Sequence, residues 1–447
     1  MKNNMKKDDQ IIDDISTENT NDRNTTPSNE YIDFESFRSL DYRSLKEKAV
    51  EMNILVGNRS YILMEIIKHL LSDNKQIIFT GYLHMINNNY GLLRDLDTGF
   101  LPNDYDVYVS LNLIKRHQLR FGDKVKGILN GKKGDDQKHY SLIAVTGIND
   151  KDGKYDRVFF DNLTACYPTK FMKLENSKLP EKYNRICRVL DILTPVGFGS
   201  RGIIAAPPRA GKTTIVHAVC SSVVLGYPNA ILIILLIGER PEEVHEMKQI
   251  VPNAIIIAST FDHSPQDHII SCEMTIEFAK RLSESGKDVI LVMDSITRLV
   301  RSNNSAVPVS NRILSGGIDA NALLFPRSFF GAARATLESG TLTILATNLI
   351  ETGSRADELI SEEFVGTENL LIKLSREIAD KCEYPAIECG LSGTRRKESF
   401  IKDESLLMKM DMIKKSLSSV GISGLLKKIR ETKSNDELLQ ILGIINR

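Results

Sequence analysis

The chain has 447 residues, enough for two or three domains that each bury a core. Its 58 basic and 58 acidic residues cancel, so overall charge gives no sign of nucleic acid, and any nucleic-acid partner would have to be met by local positive grooves. No apolar run approaches the roughly 18 residues of a membrane helix, and the polar N-terminus is no secretory signal. Cys166, Cys187, Cys220, Cys272, Cys382 and Cys389 are scattered without a CxxC pair, as free thiols in a reducing cytosol would be. A soluble, cytoplasmic protein with no membrane partner is expected.

Residues 1–30 are rich in Asn, Asp, Thr and Lys, with Ile11, Ile12 and Ile15 almost alone as apolar residues. Such a segment buries too little surface to offset its ordering entropy, so residues 1–32 are expected to form a disordered tail. Residues 33–75 predict a small helical unit: Leu45, Ala49 and Met52 keep helical spacing, and Ile62, Ile66, Ile67, Leu70 and Leu71 repeat it beyond a break at Gly57-Asn58. From Gln76 the period becomes two. Strand-like runs at 76–86, 89–95, 106–110, 123–130 and 139–147, separated by Asn-, Asp- and Gly-rich turns, fit a five-stranded oligonucleotide/oligosaccharide-binding (OB), cold-shock-like barrel over 76–150. Other small barrels fit the strand count equally well. Residues 151–190 are expected to be an irregular connector.

From about 191 to 447 apolar strands at 201–206, 230–237, 254–258, 288–293 and 341–347 alternate with helical stretches, the mark of a parallel sheet covered by helices on both faces. The stretch 404–445 reads as mainly helical, and no internal repeat is evident. Between the strand ending at Ala206 and a helix from Thr213 to Val224 lies Pro-Pro-Arg-Ala-Gly-Lys. Ala206 occupies the place of the first glycine in the strict phosphate-loop pattern, so the pattern formally fails. Its physics survives: Gly211 permits close backbone approach, amide hydrogens at the helix start face the phosphates, Lys212 can reach the β- and γ-phosphates, and the Thr213 hydroxyl can ligate Mg²⁺. Two more strands end in acids. Asp294 is placed to support Mg²⁺, and Glu239 to orient and polarise the attacking water. An acid in such a place is often only a helix N-cap, but two acids on two strands downstream of a phosphate loop define an ATP site. Arg395, in Ser392-Gly-Thr-Arg-Arg396, is a candidate for the arginine that stabilises transition-state charge across a subunit boundary.

Several long stretches carry a resemblance: Ala205-Ala-Pro-Pro-Arg-Ala-Gly-Lys-Thr213, Gly238-Glu-Arg-Pro-Glu-Glu-Val244, Asp294-Ser-Ile-Thr-Arg-Leu299, Gly316-Gly-Ile-Asp-Ala-Asn-Ala322, Phe329-Phe-Gly-Ala-Ala-Arg334 and Ser392-Gly-Thr-Arg395. From about residue 33 to the C-terminus the chain resembles the transcription termination factor Rho family. The resemblance implies a RecA-like ATPase core, a homohexamer, ATP and Mg²⁺ as cofactors, and sequential hydrolysis that draws RNA through a ring. It further implies that nascent RNA is the substrate, with RNA polymerase and its regulators as partners. Arg209, Ala210, Gly211, Lys212, Thr213 and Thr214 would surround the phosphates, Asp294 would hold Mg²⁺ through water, Glu239 would be the catalytic glutamate and Arg395 the finger. Arg240 would face the nucleotide, and Gly197, Phe198, Gly199, Ser200, Arg201 and Gly202 would line its pocket.

The same resemblance implies two RNA sites. The primary one would use Asn89, Tyr90, Gly91, Leu92, Leu93 and Arg94, then Asp106 and Tyr108, with Lys138 and His139 nearby. Tyr90 and Tyr108 can stack bases while Arg94 holds a phosphate; without the family, the same aromatics could equally complete a small core. The second site would lie in the ring's hole, with Arg312, Ile313 and Ser315 in the loop Val309–Gly317 and Arg355 in the loop Thr352–Arg355. Where many relatives carry Lys, this chain has Arg209, Arg312 and Arg355; it has Leu92 for a frequent Phe, Gly238 for a frequent Asp, and Cys382 where relatives tend to offer another arginine. A competing reading is the catalytic subunit of a rotary or protein-export ATPase, which would lack the base-stacking turn and the two inner loops. A third, a nucleic-acid-binding protein with a degenerate ATPase core, would show damage at Lys212, Glu239 or Asp294, and all three are present.

Overall fold

The computed structural model describes residues 31–133, 138–152, 157–308, 310 and 312–444. Residues 1–30 of the expected tail lie outside them, as do Val309 and Asn311 of the expected inner loop. Tyr31 and Ile32, assigned above to the tail, instead form with Asp33 a short strand (β1, Tyr31–Asp33) that pairs in parallel with the start of the next strand.

The helical unit consists of Glu35–Arg38, Tyr42–Glu51 and Arg59–Ser72. Asn58, predicted at the break, is the N-cap of the last helix and accepts the Tyr61 amide. Strands β2 (Gln76–Ile86), β3 (Tyr90–Arg94), β4 (Val107–Ser110), β5 (Lys124–Lys133) and β6 (Tyr140–Ile148) then run in the spatial order β2-β3-β4-β6-β5, and β5 pairs back to β2. The helix Leu111–Arg116 falls between β4 and β5. That is a closed five-stranded OB barrel, as expected. Odd-numbered residues of β2 point inward: Ile77, Phe79 and Leu83 meet Leu93, Val107, Val109 and Val125, and Leu45, Ala49, Ile62 and Ile66 of the helical unit extend this core. Strand β7 (Lys151–Asp152) pairs with β6.

The connector departs from expectation. It carries the small strands β8 (Ala165–Cys166) and β9 (Phe171–Met172) and then a 13-residue helix, Glu181–Leu193, whose Ile186, Cys187, Val189, Leu190, Ile192 and Leu193 are buried. The ATPase sheet follows. After β10 (Val196–Gly197) come β11 (Arg201–Ala206), β12 (Ile231–Glu239), β13 (Ile255–Thr260), β14 (Val289–Asp294), β15 (Ala335–Thr336), β16 (Leu342–Leu349), β17 (Leu370–Lys373) and β18 (Gly393–Thr394). The order in space is β13-β12-β14-β16-β11-β17-β18, parallel except for β18, and β17 and β18 extend the predicted five strands.

Alternate residues of each strand serve opposite layers. Ile204, Ala206, Ile234, Leu236, Ile290 and Val292 pack with the helices Lys212–Gly226, Glu181–Leu193 and the three C-terminal helices Glu404–Val420, Ser423–Glu431 and Asn435–Ile444. Ile203, Ala205, Ile233, Leu235, Ile237, Leu291 and Met293 pack with Pro265–Glu284, Ile296–Ala306 and Arg355–Phe364. Both faces are thus covered, so the strands read as continuous apolar runs.

The barrel is fixed to this core. Tyr82 sits edge-on to Phe278, with ring centroids 5.0 Å apart, Arg120 Nη1 donates to Glu284 Oε1 at 2.9 Å, and the Ser271 hydroxyl donates to the Gly99 carbonyl at 2.8 Å.

Candidate ATP site and RNA-binding surfaces

Three strands deliver the ATP site at their carboxyl ends, where open α/β sheets bind ligands. After β11 the chain turns through Pro207 to Gly211. Gly211 has φ +93°, a left-handed conformation that glycine adopts at little cost, and Lys212 begins the next helix. The loop is steadied by Arg376, whose Nη1 donates to the Pro208 carbonyl at 3.0 Å. Asp294 ends β14, and the N-cap of the following helix is Ser295, so the Asp294 carboxylate is left for the site. Glu239 ends β12 beyond a bulge at Gly238, whose φ is +64°. A Cβ at that glycine would come within 3.0 Å of Arg298 Cδ.

The side chains converge. Lys212 Nζ lies 2.5 Å from Asp294 Oδ1 and 3.8 Å from Glu239 Oε1, and Arg298 Nε lies 3.4 Å from the same Glu239 oxygen. The Thr347 hydroxyl donates to Asp294 Oδ1 at 2.7 Å. Both acids are buried. Burial pushes the Glu239 carboxyl up to about 7, with Asp294 adding to the rise and Lys212 and Arg298 opposing it. A carboxylate so poised suits a group that orients water and accepts a proton near neutral pH. Arg298 and Thr347 received no role above; Arg298 lay inside a quoted motif, while Thr347 had no local signal.

Other expected nucleotide residues divide. Arg209, Ala210, Thr213 and Thr214 stand at the loop and helix start, and Arg240 is exposed one residue past Glu239. Gly197, Phe198, Gly199 and Ser200, by contrast, lie fully buried at the amino end of β11, one strand length away from the phosphate loop. A Cβ on Gly197 would meet Pro168 and Phe400, and one on Gly199 would meet Ala335. They do not line this chain's own phosphate loop; β11 carries Arg201 and Gly202 at that same far end. Tyr384, missed above, has a half-exposed ring within 3.6 Å of a Cβ built on Gly211 and borders a cavity beside the phosphate loop. Arg395, at the exposed sheet edge after β18, is loosely held, 3.8 Å from Glu368. Among the described residues no cluster of three or more His, Cys, Asp or Glu could hold a metal ion, and no helix is long and apolar enough to cross a membrane.

On the barrel, β3 and β4 turn Tyr90, Leu92, Arg94 and Tyr108 to the face opposite the core, with Leu92 registered against Tyr108. The Tyr90 and Tyr108 rings stack on each other, centroids 5.1 Å apart and planes 24° apart. Asn89 is exposed at the turn, while Gly91 and Leu93 are buried; a Cβ on Gly91 would strike Leu83. Lys138 is exposed and His139 buried just before β6, which pairs with β4 at Tyr108.

Arg94 departs from expectation. It is buried and paired with Asp106, and its Nε donates to His84 Nδ1 at 3.3 Å. Burial and Arg94 together push His84 down to about 4, so the ring is neutral and can accept. Burial pushes Asp106 up to about 6 against the pull of Arg94. Arg94 and Asp106 therefore brace the platform from below, and Arg94 is not free to grip a phosphate.

The expected inner loops are exposed and touch each other. Arg312, Ile313, Ser315 and Arg355 all face solvent. Gly316, at φ +70°, lies so close to the other loop that a Cβ there would come within 2.4 Å of the Ala356 amide nitrogen. The helix Ile296–Ala306, which follows Asp294, ties both loops down. Arg301 Nη2 reaches Asp357 Oδ2 at 2.7 Å, Asp357 accepts the Thr352 hydroxyl at 2.7 Å, and Asn304 Nδ2 donates to the Gly317 carbonyl at 3.2 Å.

This fold and site define a phosphate-loop ATPase joined to an OB barrel, an ATP-hydrolysing and RNA-binding protein. Residues 187–394 match the ATP synthase alpha/beta family, nucleotide-binding domain, and residues 79–154 match the Rho termination factor, RNA-binding domain. The chain is 42% identical over 388 residues to the transcription termination factor Rho of Cereibacter sphaeroides, covering 86% of this chain and 91% of that protein. It is 40% identical over 396 residues to that of Escherichia coli K12, covering 87% and 94%. The chain belongs to the transcription termination factor Rho family. Among solved structures, a type III secretion ATPase of pathogenic bacteria is similar at TM-score 0.51 and 22% identity, over 64% of this chain and 87% of that one. The ATP synthase subunit NeqB of Nanoarcheaum equitans is similar at TM-score 0.51 and 16% identity, over 63% and 77%. These two likenesses concern the fold alone.

Proposed function

We propose that the chain is an RNA-stimulated ATPase of the cytoplasm that assembles as a homohexamer, draws nascent RNA through the ring in the 5′-to-3′ direction, and ends transcription by dislodging RNA polymerase, subject to partner regulators. The observation that carries this reading is mechanical. One helix, Ile296–Ala306, contacts Glu239 through Arg298 and both exposed basic loops through Arg301 and Asn304. A change at the ATP site can thereby reach the loops without crossing flexible chain.

In this mechanism Lys212 leaves Asp294 for the β- and γ-phosphates, and the helix amides beyond Gly211 face the same charge. The Thr213 hydroxyl and the Asp294 carboxylate are oxygen donors of the kind Mg²⁺ takes, and so small a protein donor set fits an ion that keeps waters and phosphate oxygens. When bound, Mg²⁺ would neutralise phosphate charge. Glu239 orients the attacking water and takes up its proton. Arg395, exposed at the sheet edge, would stabilise the transition state in a neighbouring subunit. On the barrel, the Tyr90 and Tyr108 rings offer the aromatic surface that captures bases, with Leu92 packing alongside.

The test is ATP hydrolysis with and without single-stranded, C-rich RNA. Stimulation is expected; hydrolysis that no RNA alters would discard the translocase reading in favour of the rotary or export class.

A further inference from the structure

On the Tyr384 side of the phosphate loop lies a cavity of about 500 Å³. It borders Ala210, Gly211 and Thr214, yet Lys212, Glu239 and Asp294 do not line it, so it is the end of the nucleotide site remote from the phosphate being transferred. Four cations converge there from three separate elements: Lys182 and Arg185 from the helix Glu181–Leu193, Arg209 from the loop, and Arg430 from the helix Ser423–Glu431. No Asp or Glu lines the cavity. Arg185 has only a 3.7 Å contact with the exposed Glu181, of the kind that contributes little. Among the described residues, Lys182, Arg209 and Arg430 pair with no carboxylate.

ATP alone does not match this field. Its triphosphate is claimed by Lys212 and Thr213, with Arg209 beside them on the loop, and the end facing Tyr384 presents an uncharged base and ribose, which leaves Lys182, Arg185 and Arg430 unmatched. Cations gathered around one concave space repel one another, and an anion placed among them relieves that repulsion. Guanidinium groups match the oxygens of a phosphate monoester in pairs, and an ammonium adds a point charge.

We infer that this end of the pocket is a second anion subsite, which takes a phosphate carried on the ribose of a bound nucleotide. The ligand class is a nucleoside 5′-polyphosphate bearing a further phosphate on the 3′-hydroxyl. Such a nucleotide occupies the phosphate loop and the cationic end together, and so competes with ATP. The inference rests on the ATP-site reading above and names a regulatory ligand for that site.

The experiment is isothermal titration of the full-length protein with ADP and with 3′-phospho-ADP, repeated on the Lys182→Ala/Arg430→Ala double variant. Both substitutions are at exposed positions. The wild-type protein is expected to prefer 3′-phospho-ADP by about tenfold, the scale of one added charge-assisted contact, and the variant is expected to bring the ratio close to one. Equal affinities in the wild-type protein, or a preference that survives in the variant, overturn the second subsite while leaving the ATP site intact. If ADP itself does not bind, the ATP-site reading fails and this inference falls with it.

Discussion

Lys212 Nζ sits 2.5 Å from Asp294 Oδ1 and 3.8 Å from Glu239 Oε1, so a single ammonium is shared unequally by two buried carboxylates. Burial first, and then the neighbouring Asp294 carboxylate, hold the Glu239 carboxyl at about 7 against an ordinary 4.5, while Lys212 and Arg298 oppose the rise.

A pH-dependent stability follows. Between about 4.5 and about 7 the folded protein keeps a proton on Glu239 that the unfolded chain releases, so this group lowers stability as pH rises through that window and no further above it. Glu239→Gln removes the ionisation. The variant should lose turnover, yet melt at a higher temperature than the parent at pH 8, with the gap closing near pH 4. Thermal melts across that range check it, and a gap that does not change with pH would refute the assignment.

Beneath the RNA platform, Arg94 and Asp106 form a buried ion pair with Asp106 Oδ1 left without a hydrogen bond. Removing one partner strands the other charge. Asp106→Ala should therefore cost about 3–5 kcal/mol in barrel stability, read by denaturant unfolding. If Arg94 instead gripped RNA directly, Arg94→Ala would weaken RNA binding in a folded, equally stable protein. That outcome would reverse the reading of Arg94 as a brace.

What could be read in the sequence depended on whether a signal was local. The apolar runs of β11, β12 and β14 were legible because each strand is buried on both faces, and the acids that end β12 and β14 were legible because a carboxylate closing such a run stands out. The five barrel strands were legible from period-two alternation.

The helix Glu181–Leu193 was not. Arg188 and Asp191 interrupt its apolar stretch with charge, and what makes them buriable lies far along the chain. Arg188 Nη1 donates to the Ile429 and Thr432 carbonyls at 2.8 and 2.6 Å and its Nε to Asn435 Oδ1 at 3.1 Å, while Asp191 accepts the Leu174 and Glu175 amides. Arg94 was misread for a related reason. Its partner sits one strand over, and only strand register shows that Asp106 consumes its charge. Gly197 to Ser200 were placed in the lining of the nucleotide pocket by resemblance, and the six-residue strand β11 separates them from this chain's own phosphate loop. Tyr384 carried no local signal because it reaches Gly211 through tertiary structure alone.

Gly316 is the contact point of the two inner loops, with φ +70° and no room for a Cβ against Ala356. Gly316→Ala combines backbone strain with a clash, and one loop must move off the other. Because Gly316 is exposed and lies outside the phosphate loop, ATP binding should persist while RNA stimulation of hydrolysis is largely lost. Nucleotide titration alongside RNA-stimulated turnover separates the two. Full stimulation in the variant would mean that the loops work without touching.

Arg395 offers the sharpest test of action between subunits. Its side chain is 64% exposed and its one carboxylate partner among the described residues, Glu368, is 3.8 Å away, so the guanidinium contributes little to the stability of its own chain. Within that chain it lies past β17, at the far edge of the sheet from β12 and β14, which carry Glu239 and Asp294. Arg395→Ala should leave the melting temperature and ATP affinity nearly unchanged and lower turnover by about a thousandfold or more, the scale for a lost arginine finger. A protein carrying Lys212→Ala binds nucleotide poorly but still donates its own Arg395. Mixed with the Arg395→Ala protein, it should restore part of the activity, because an intact ATP site then faces an intact arginine across some interfaces. Turnover that stays at the level of the Arg395→Ala protein alone at every mixing ratio would place the arginine's action within its own subunit, or outside catalysis altogether.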